Sequence, residues 1–344
     1  MANWTIKALD REMAESILAA RPHHVQSSLA WLDFLRGFTN ECDRSVSIEY
    51  CGESIGFLCA LQHRNLIQSL PYPASYGGVQ TTRSLNGNEL RELYQSLFAH
   101  YSRLCDVVSI CTSPFYSGSA EESKQFDFQS SKDVHYLDLT REPLANTTSK
   151  FRNNLRRNLQ KADNAQVKIA VSSDRRDLAA WYRCYERRIN ELGGVLLTQQ
   201  YFEQMFERLE GSGNRALITA KSGNQFLGGI VTVQNRYCVD YYLSMFDRDY
   251  DEMQASTAAF YFLISYARSL DAQILNLQSS PASQIELIRF KESWGALRAE
   301  HSYLTKIVNN REKVLRMTEQ QITQDYRYHY LLPFAALKPE LSLV

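Results

Sequence analysis

The segment Arg289-Phe290-Lys291-Glu292-Ser293-Trp294-Gly295 ends a predicted helix that begins near Ser283. Gly295 stands where the chain would leave the helix in a left-handed conformation, which glycine adopts more readily than other residues. The segment therefore predicts a helix that carries Lys291 in its last turn and stops at Gly295.

Lys291 is predicted to point toward an apolar face of this helix. At 100° per residue, Leu287, Ile288 and Trp294 all lie within roughly 60° of it. Burial disfavours a charged ammonium group, so such a lysine is either held by a specific acceptor or used in chemistry. The alternative is a lysine at the rim, whose methylene chain covers apolar surface while its ammonium group reaches water.

The composition indicates a globular protein without an overall charge. The chain has 344 residues, of which 44% are hydrophobic and 22% charged, and its 38 basic residues balance its 38 acidic residues. A chain of this length favours two domains. Zero net charge predicts no global attraction to nucleic acid or anionic lipid. No run of about 20 apolar residues predicts a membrane span, and we expect a cytoplasmic protein.

The cysteines and histidines do not indicate a metal site. The seven cysteines are scattered and contain no CxxC pair, and the seven histidines show no HxH or HxxxH spacing. Scattered cysteines are typical of reduced thiols rather than of a disulfide framework or a zinc knuckle. From the sequence we expect no metal ligands.

The chain repeats itself at about half its length. Two predicted β-hairpins, at 50–62 and 221–234, turn at Gly52 and Gly223, and each opens its second strand on small residues. Two helices are predicted before each hairpin, at 10–20 and 29–38 in the first half and at 178–190 and 199–209 in the second. A match of hairpins and preceding helices at this spacing predicts a duplicated domain.

The remaining elements predict a mixed α/β fold (α+β) in which each domain has a mixed sheet with helices on both faces. Further helices are expected at 88–103 and 255–268, and further strands at 107–111, 135–139, 216–220, 237–246, 274–277 and 298–308. We predict an N-terminal domain at 1–148, a second domain at 149–310 and a helical tail at 311–344. The tail would pack on the protein or form a contact in a homodimer.

A basic helix joins the predicted domains. Over 149–161 its apolar row is flanked by five cations and no acid, at Lys150, Arg152, Arg156, Arg157 and Lys161. In a neutral protein this cluster predicts a local anion site for a phosphate-bearing substrate or an RNA backbone. The alternative is a solvated face. Arg188, beside the apolar row of the next helix, is a second candidate anchor for an anion.

Other candidate site residues lie in a loop and in a central strand. The segment 70–78 contains two prolines and two glycines, and its Tyr76 is placed to line a cleft. The strand 237–246 carries Asp240 and Tyr241, an acid and a phenol that could act on a proton.

Segments in both halves resemble a known family. The segments Leu275-Asn276-Leu277-Gln278-Ser279-Ser280 and Phe290-Lys291-x-x-Trp294-Gly295-Ala296 resemble the closing signature of the FemAB-like (BioF2-like) branch of the GNAT superfamily. The Pro-Tyr-Pro…Tyr-Gly-Gly loop and the run Arg188…Gly193…Tyr201-Phe202 are similar to it as well. The resemblance covers nearly the whole chain, because this family pairs two GNAT-like domains.

The resemblance implies transfer of an acyl group to an amine. Lys291 would sit beside the reacting carbonyl, where a cation placed in advance stabilises the developing oxyanion by about 3 kcal/mol. Asp240 and Tyr241 are the candidate bases for the attacking amine. Trp294 and Ser280 complete the expected substrate-binding set, with Arg152, Arg156, Arg188 and Tyr76.

Two departures from the family bear on the donor. Where the family strand often has an acid, a glycine, an arginine and a serine, this chain has Asn276, Gln278, Ser279 and Ser280. Where a coenzyme A-binding GNAT enzyme has a glycine-rich turn before its central helix, residues 247–256 carry four acids and no glycine. Such acids would repel a pyrophosphate group, whereas a helix N-terminus with free N–H groups attracts it.

The acidic segment argues against a standard coenzyme A site, but the zero net charge of the chain argues against a large RNA partner. The resemblance therefore implies an N-acyltransferase with no tightly bound cofactor, which uses an acyl-CoA such as acetyl-CoA as co-substrate. By family, the acceptor would be the amine of a sugar nucleotide or of a cell-envelope or polysaccharide precursor, a small molecule that can carry phosphate. One alternative is a Fem-type aminoacyltransferase that takes its donor from aminoacyl-tRNA and acts on a peptidoglycan precursor. A second alternative is a GNAT-like binding module without catalytic activity.

Overall fold

The computed structural model describes residues 4–70, 76–115, 120–142, 144, 146–210 and 213–337. These residues form two compact units. The first contains residues up to Lys132 and those from Glu300 onward, and the second contains Asp133–Ala299.

The compact units and the predicted domains divide the chain at different points. The predicted boundaries fall at 148 and 310, whereas the chain passes between the units inside two strands, Phe128–Asp138 and Leu297–Ile307. The residues after Glu300 belong to the first unit because they pair and pack with its strands. The predicted domain boundaries at 148 and 310, which are based on the repeated order of helices and strands, stay a prediction.

The α-helices are, in chain order, α1 (Arg11–Ala20), α2 (Leu29–Thr39), α3 (Gly87–Tyr101), α4 (Ala120–Ser123), α5 (Ser149–Asn164), α6 (Arg175–Leu192), α7 (Gln199–Arg208), α8 (Ala255–Ser269), α9 (Ile285–Ser293), α10 (Arg311–Leu315) and α11 (Glu319–Asp325). The strands are β1 (Trp4–Ala8), β2 (Cys42–Asp43), β3 (Val46–Tyr50), β4 (Glu53–Leu58), β5 (Leu61–His63), β6 (Leu66–Gln68), β7 (Gln80–Thr81), β8 (Val107–Cys111), β9 (Phe128–Asp138), β10 (Val167–Ser172), β11 (Arg215–Ser222), β12 (Gln225–Gln234), β13 (Cys238–Phe246), β14 (Ile274–Ser279) and β15 (Leu297–Ile307). Short 3-10 helices lie at Val25–Ser27, Arg248–Met253 and Phe334–Ala336.

The first unit contains an antiparallel sheet in the order β1-β3-β4-β7. A second set of strands joins β2 to β5, β5 to β6, β6 to β8 in parallel, and β8 to β15. The sequence predicted a single strand over 55–62. That strand is broken after Leu58, because its first part pairs with β3 and its last part with β6.

Helix α3 supplies much of the core of the first unit. It begins with a capping box in which Asn86 and Glu89 satisfy each other's backbone N–H groups. Its buried residues recur at helical spacing and pack against the strands, with Tyr94 and Leu97 in one cluster with Ile48.

The described part of the C-terminal segment packs on the first unit. Val314, Ile322 and Tyr326 are buried in a cluster with Leu66 of β6 and Val107 of β8. The packing interpretation of the tail therefore holds for residues 311–337, and the dimer contact stays a hypothesis.

The second unit is a mixed sheet in the order β10-β11-β12-β13-β14-β9, in which only the β13–β14 pairing is parallel. Neighbouring residues of β11 point to opposite faces. Ile218 packs with α8 in the main core cluster, whereas Leu217 lines a cavity with Leu178 of α6 and Phe206 of α7. Helices thus cover both faces, as predicted.

The predicted repeat of elements is present. The helices α1 and α2 precede the hairpin β3–β4, and α6 and α7 precede the hairpin β11–β12. Gly52 has φ 86° and Gly223 has φ 55°, so both turns use a backbone conformation that favours glycine. Within the residues that the structure describes, no helix is both long and apolar enough to cross a bilayer.

Candidate active site

The parallel strands β13 and β14 lose contact with each other in the middle of the second unit. Their pairing begins at Cys238 and ends where Asp240 faces Asn276, although β13 continues to Phe246 and β14 to Ser279. A strand edge without a neighbouring strand has a row of backbone N–H and C=O groups that can form hydrogen bonds with a peptide-like molecule. The stretch beyond these residues, in which β13 and β14 no longer pair with each other, is called the slot here.

Strand β14 is irregular at the point where the slot opens. Between its pairings at Asn276 and Ser279, β14 has one residue more than β9, which is a β-bulge. Gln278 in this bulge has φ 63°, and its N–H donates to the side-chain Oδ1 of Asn276 at 3.0 Å. The bulge turns the carbonyl groups of Gln278 and Ser279 out of the regular ladder.

Asp240 holds the bulge from the side of β13. Its carboxylate is fully buried, and Oδ1 accepts hydrogen bonds from Asn276 Nδ2 and, at 2.9 Å, from Gln278 Nε2. The side chain therefore binds amide groups of its own fold. This arrangement fits a positioning role better than the role of a base.

The side chain of Lys291 contacts the two backbone carbonyl groups of the bulge, those of Gln278 and Ser279. Nζ donates to the carbonyl oxygen of Gln278 at 2.8 Å and to that of Ser279 at 3.4 Å, and the residue is only 3% exposed. Burial lowers the pKa of Lys291 from 10.5 to about 8. At neutral pH the group is thus mainly an ammonium with two N–H groups engaged and a third left for a ligand.

The helix that carries Lys291 agrees in part with its prediction. It ends as expected, because Gly295 has φ 80° and its N–H donates to Glu292 O at 2.9 Å. Lys291 is buried, but the expectation that Leu287 shares a buried face with it is wrong, since Leu287 is 37% exposed. A helical wheel describes one helix by itself, so it cannot show which of its residues the neighbouring elements cover.

Trp294 is buried in the core of the second unit. Its ring packs against Phe151 of α5, Phe260 of α8 and Phe290 of α9. Trp294 is 2% exposed, and these contacts hold the end of α9 next to Lys291. Its predicted role in binding substrate stays a prediction.

Tyr241 follows Asp240 in β13 and points to the other face of the sheet. Its ring packs on Phe260, and burial raises the pKa of its hydroxyl to about 12. A phenol with this pKa keeps its proton at neutral pH, so Tyr241 is better suited to shaping the site than to accepting a proton.

The cations of α5 lie on its exposed side. Arg152 donates to the carbonyl oxygen of Thr147 at 2.9 Å and so helps to fix the start of the helix. Lys150, Arg156, Arg157 and Lys161 form no ion pair with an acid among the described residues. Helix α5 packs against α8 and against the 3-10 helix Arg248–Met253 that precedes it. The basic surface thus borders the acidic segment that precedes α8.

The acidic segment before α8 is partly neutralised within its own unit. Arg187 of α6 lies 2.6 Å from Asp247 and 3.7 Å from Asp249. The predicted anchor, its neighbour Arg188, is paired instead with Glu191 at 3.0 Å on the same helix. Sequence alone did not distinguish the two arginines, because both flank the apolar row of α6.

Tyr76 lies in the first unit and is buried there. Its ring stacks on His24 with centroids 4.4 Å apart and meets His301 edge-on at 5.3 Å. Residues 71–75 of its predicted loop lie outside the described residues. A role for Tyr76 in binding substrate stays a prediction.

Two further polar groups lie near the bulge. Ser280, predicted to bind substrate, follows the bulge and has a buried hydroxyl without a hydrogen-bond partner among the described residues. His135 of β9 faces the bulge, is 1% exposed, and likewise has no described partner for either ring nitrogen. Burial first, and the charge of Lys291 second, lower the pKa of His135, which favours the neutral imidazole. The sequence did not single out His135, because only the β9–β14 register brings it here.

Together these groups place one ammonium and several polar atoms at the mouth of a slot between strands. Along the slot β13 and β14 do not pair with each other, and α5 carries exposed cations that have no acid partner among the described residues. An ammonium group in this position can stabilise negative charge on a carbonyl oxygen, and the cations can attract an anionic group.

Comparison with known proteins agrees with this geometry. Residues 149–277 match the acetyltransferase (GNAT) domain family. No curated protein matches the chain in sequence.

Several solved structures share the fold. The structure of FemX is 12% identical, covers 87% of this chain and 97% of its own, and has a TM-score of 0.64. The C-terminal domain of a protein from Agrobacterium fabrum, named as a lysylphosphatidylglycerol synthetase, is 11% identical, with coverages of 91% and 96% and a TM-score of 0.56. A protein of unknown function from Bacteroides thetaiotaomicron is 9% identical, with coverages of 88% and 99% and a TM-score of 0.55. The predicted α/β fold of the GNAT type, with its resemblance to Fem proteins, is confirmed.

Proposed function

We propose that this chain, which carries a GNAT acetyltransferase domain at 149–277, is an N-acyltransferase that uses an acyl-CoA thioester. The proposal is based mainly on one observation, which is that β13 and β14 stop pairing close to the buried Lys291. The pantetheine arm of coenzyme A is extended and contains two amide groups, which suits the part of β13 beyond Asp240 that does not pair with β14.

In the proposed reaction the acceptor amine attacks the thioester carbonyl. The nitrogen lone pair forms the C–N bond, the C–S bond breaks, and coenzyme A leaves as a thiol with the proton that the amine gives up. Lys291 donates its third N–H to the carbonyl oxygen as negative charge develops there. Asp240 and Gln278 position the bulge that holds Lys291, and the hydroxyl of Ser280 is available to the substrate.

The cations of α5 are proposed to bind the phosphates of the donor. They replace the glycine-rich turn that the acidic segment lacks, and they lie beside α8 on the described surface. Arg156 and Arg157 are the best placed for this role because both are exposed and neither has an acid partner among the residues that the structure describes.

The acceptor is proposed to be a small amine, such as that of a sugar nucleotide or of a cell-envelope or polysaccharide precursor. This part rests on the resemblance to Fem-type proteins. Aminoacyl-tRNA is the second candidate donor, because a helix with several exposed cations suits an RNA backbone as well as it suits coenzyme A.

The donor can be identified by binding. Acetyl-CoA, free coenzyme A and charged tRNA would each be added to the purified chain in a thermal-shift experiment, because a ligand that binds only the folded state raises the melting temperature. We expect a rise with acetyl-CoA and with coenzyme A. A rise with charged tRNA alone would identify the Fem-type alternative, and no rise with any of them would favour a binding module without catalytic activity.

Charge reversal on α5 tests the phosphate site. We expect R156E/R157E to raise the KM for acetyl-CoA roughly tenfold or more, since each exposed ion pair contributes up to about 1 kcal/mol. The effect should weaken as salt is added.

The matched control is K168E/R175E, which makes the same charge change on exposed residues of β10 and α6. An equal rise in KM in both variants would mean that only net charge matters. An unchanged KM in R156E/R157E would show that α5 is a solvated face.

The pH dependence of the rate tests Lys291. The group must be protonated to donate to an oxyanion, and burial lowers its pKa to about 8. We therefore expect kcat to fall as the pH rises through about 8. We expect K291R to lose this descending limb, because a guanidinium group keeps its proton throughout the range. A wild-type kcat that keeps rising above pH 9 would contradict the assignment of Lys291, since about 90% of the group would then be neutral.

A further inference from the structure

The first unit brings together two histidines and a glutamate that are distant in the sequence. Glu41 follows the C-terminus of α2, His63 ends β5, and His329 follows α11. Glu41 Oε1 lies 3.2 Å from His63 Nδ1 and 2.9 Å from His329 Nε2. One donor atom from each of the three residues lies within 4.8 Å of the other two, so all three converge on one point.

The contacts of His63 show which of its two ring nitrogens faces Glu41. His63 Nε2 lies 2.8 Å from the carbonyl oxygen of Asp325, which can only accept, so Nε2 carries the proton. Nδ1 is the ring nitrogen that faces the carboxylate of Glu41, at 3.2 Å from Oε1. A second ring proton or a metal ion between the two atoms satisfies both of them, and the position of His329 favours the metal ion.

His329 lies against the same carboxylate. Its side chain is 5% exposed and its ring stacks on that of His63 with centroids 4.4 Å apart. Although Nε2 is close to Glu41 Oε1, it makes no hydrogen bond to a described residue, and neither does Nδ1. Glu41 Oε2 is buried and is also without a described hydrogen-bond partner.

We propose that Glu41, His63 and His329 bind a divalent transition-metal ion, most suitably Zn²⁺. Two imidazoles and a carboxylate are zinc ligands, and a metal-bound histidine commonly donates its other N–H to a backbone carbonyl, as His63 does to Asp325. The fourth position falls to Glu41 Oε2 or to water.

The metal would fasten the C-terminal segment to the body of the first unit. Tyr330, next to His329, already donates its backbone N–H to Gln68 Oε1 at 3.1 Å. The ion would connect this segment to the end of α2 and to β5, which come from the beginning of the chain. Zinc binding should therefore raise the melting temperature and protect the segment after α11 from proteases.

The experiment measures metal content and ligand type. The purified chain would be stripped with chelator, dialysed against Zn²⁺ or Co²⁺, and analysed by elemental analysis and visible absorption. We expect one tightly held ion per chain and the d–d bands of a nitrogen- and oxygen-ligated Co²⁺ site. Wild-type protein that retains no ion and gives no such bands would overturn the proposal without the use of any variant.

Variants then test the ligands. H63Q, H329Q and the isosteric E41Q should each weaken Zn²⁺ binding by more than the roughly 10–100-fold that loss of an outer-shell partner costs. H100Q on α3 is the control, because His100 lies outside the cluster. Zinc content that falls equally in H100Q, or that stays at the wild-type level in both H63Q and H329Q, would identify adventitious surface binding and refute the site.

Discussion

K291M is expected to lower kcat for acyl transfer by about 100- to 1000-fold, which is the usual effect of removing one donor to an oxyanion. Methionine matches the length and volume of the lysine stem but cannot donate a hydrogen bond. In the wild type, Nζ is 2.8 Å from Gln278 O and holds a third N–H for the carbonyl of the donor. The rate would be measured with saturating acetyl-CoA and a fixed amine acceptor.

The stability of K291M separates chemistry from folding. Two carbonyl groups lose a donor at about 1–1.5 kcal/mol each, but the cost of burying an ammonium is removed as well. These terms oppose each other, so we expect the melting temperature to stay within a few degrees of wild type. S293A, in the same turn of α9, is the control, because its hydroxyl donates only to Phe290 O of its own helix. Full activity in K291M would remove Lys291 from the mechanism.

The local features of this site could be predicted from sequence because they depend on near neighbours in the chain. The end of α9 at Gly295 and the burial of Lys291 both follow from helical geometry and the conformational freedom of glycine. The exposure of Leu287 did not follow, because it depends on how far α5 and α8 cover the helix. The family resemblance placed Lys291 near the carbonyl, and the structure adds the acceptors that hold it.

Features that depend on strand register could not be predicted. His135 and the bulge at Gln278 come together only because β14 has one more residue than β9 between two pairings. Nor could the sequence show that the carboxylate of Asp240, a predicted base, accepts hydrogen bonds from two side-chain amide groups of β14. Its role as a base stays a prediction. The histidine spacing gave no sign of the cluster at Glu41, because its ligands are brought together by the docking of the C-terminal segment.

D240A is expected to cause the largest combined loss of activity and stability in the second unit. Removing the carboxylate leaves the amide groups of Asn276 and Gln278 without their acceptor in the core, and bonds to a charged group contribute about 1.5–3 kcal/mol each. We expect the free energy of unfolding to fall by about 3 kcal/mol or more, as measured by urea denaturation. With the bulge released, the carbonyls beneath Lys291 would shift and kcat would fall with them.

D240N distinguishes a positioning residue from a base. The amide oxygen of asparagine can still accept from both Asn276 and Gln278, so the bulge would keep its shape, but asparagine cannot take a proton. If Asp240 positions Gln278, D240N should keep a kcat within about tenfold of wild type, because general-base catalysis contributes about 100- to 10,000-fold. A loss of that larger size in folded D240N would make Asp240 the base. The slot between β13 and β14 would then contain both a proton acceptor, Asp240, and a hydrogen-bond donor to the oxyanion, Lys291. If D240N has only a mild effect, a group other than Asp240 must accept the proton of the amine.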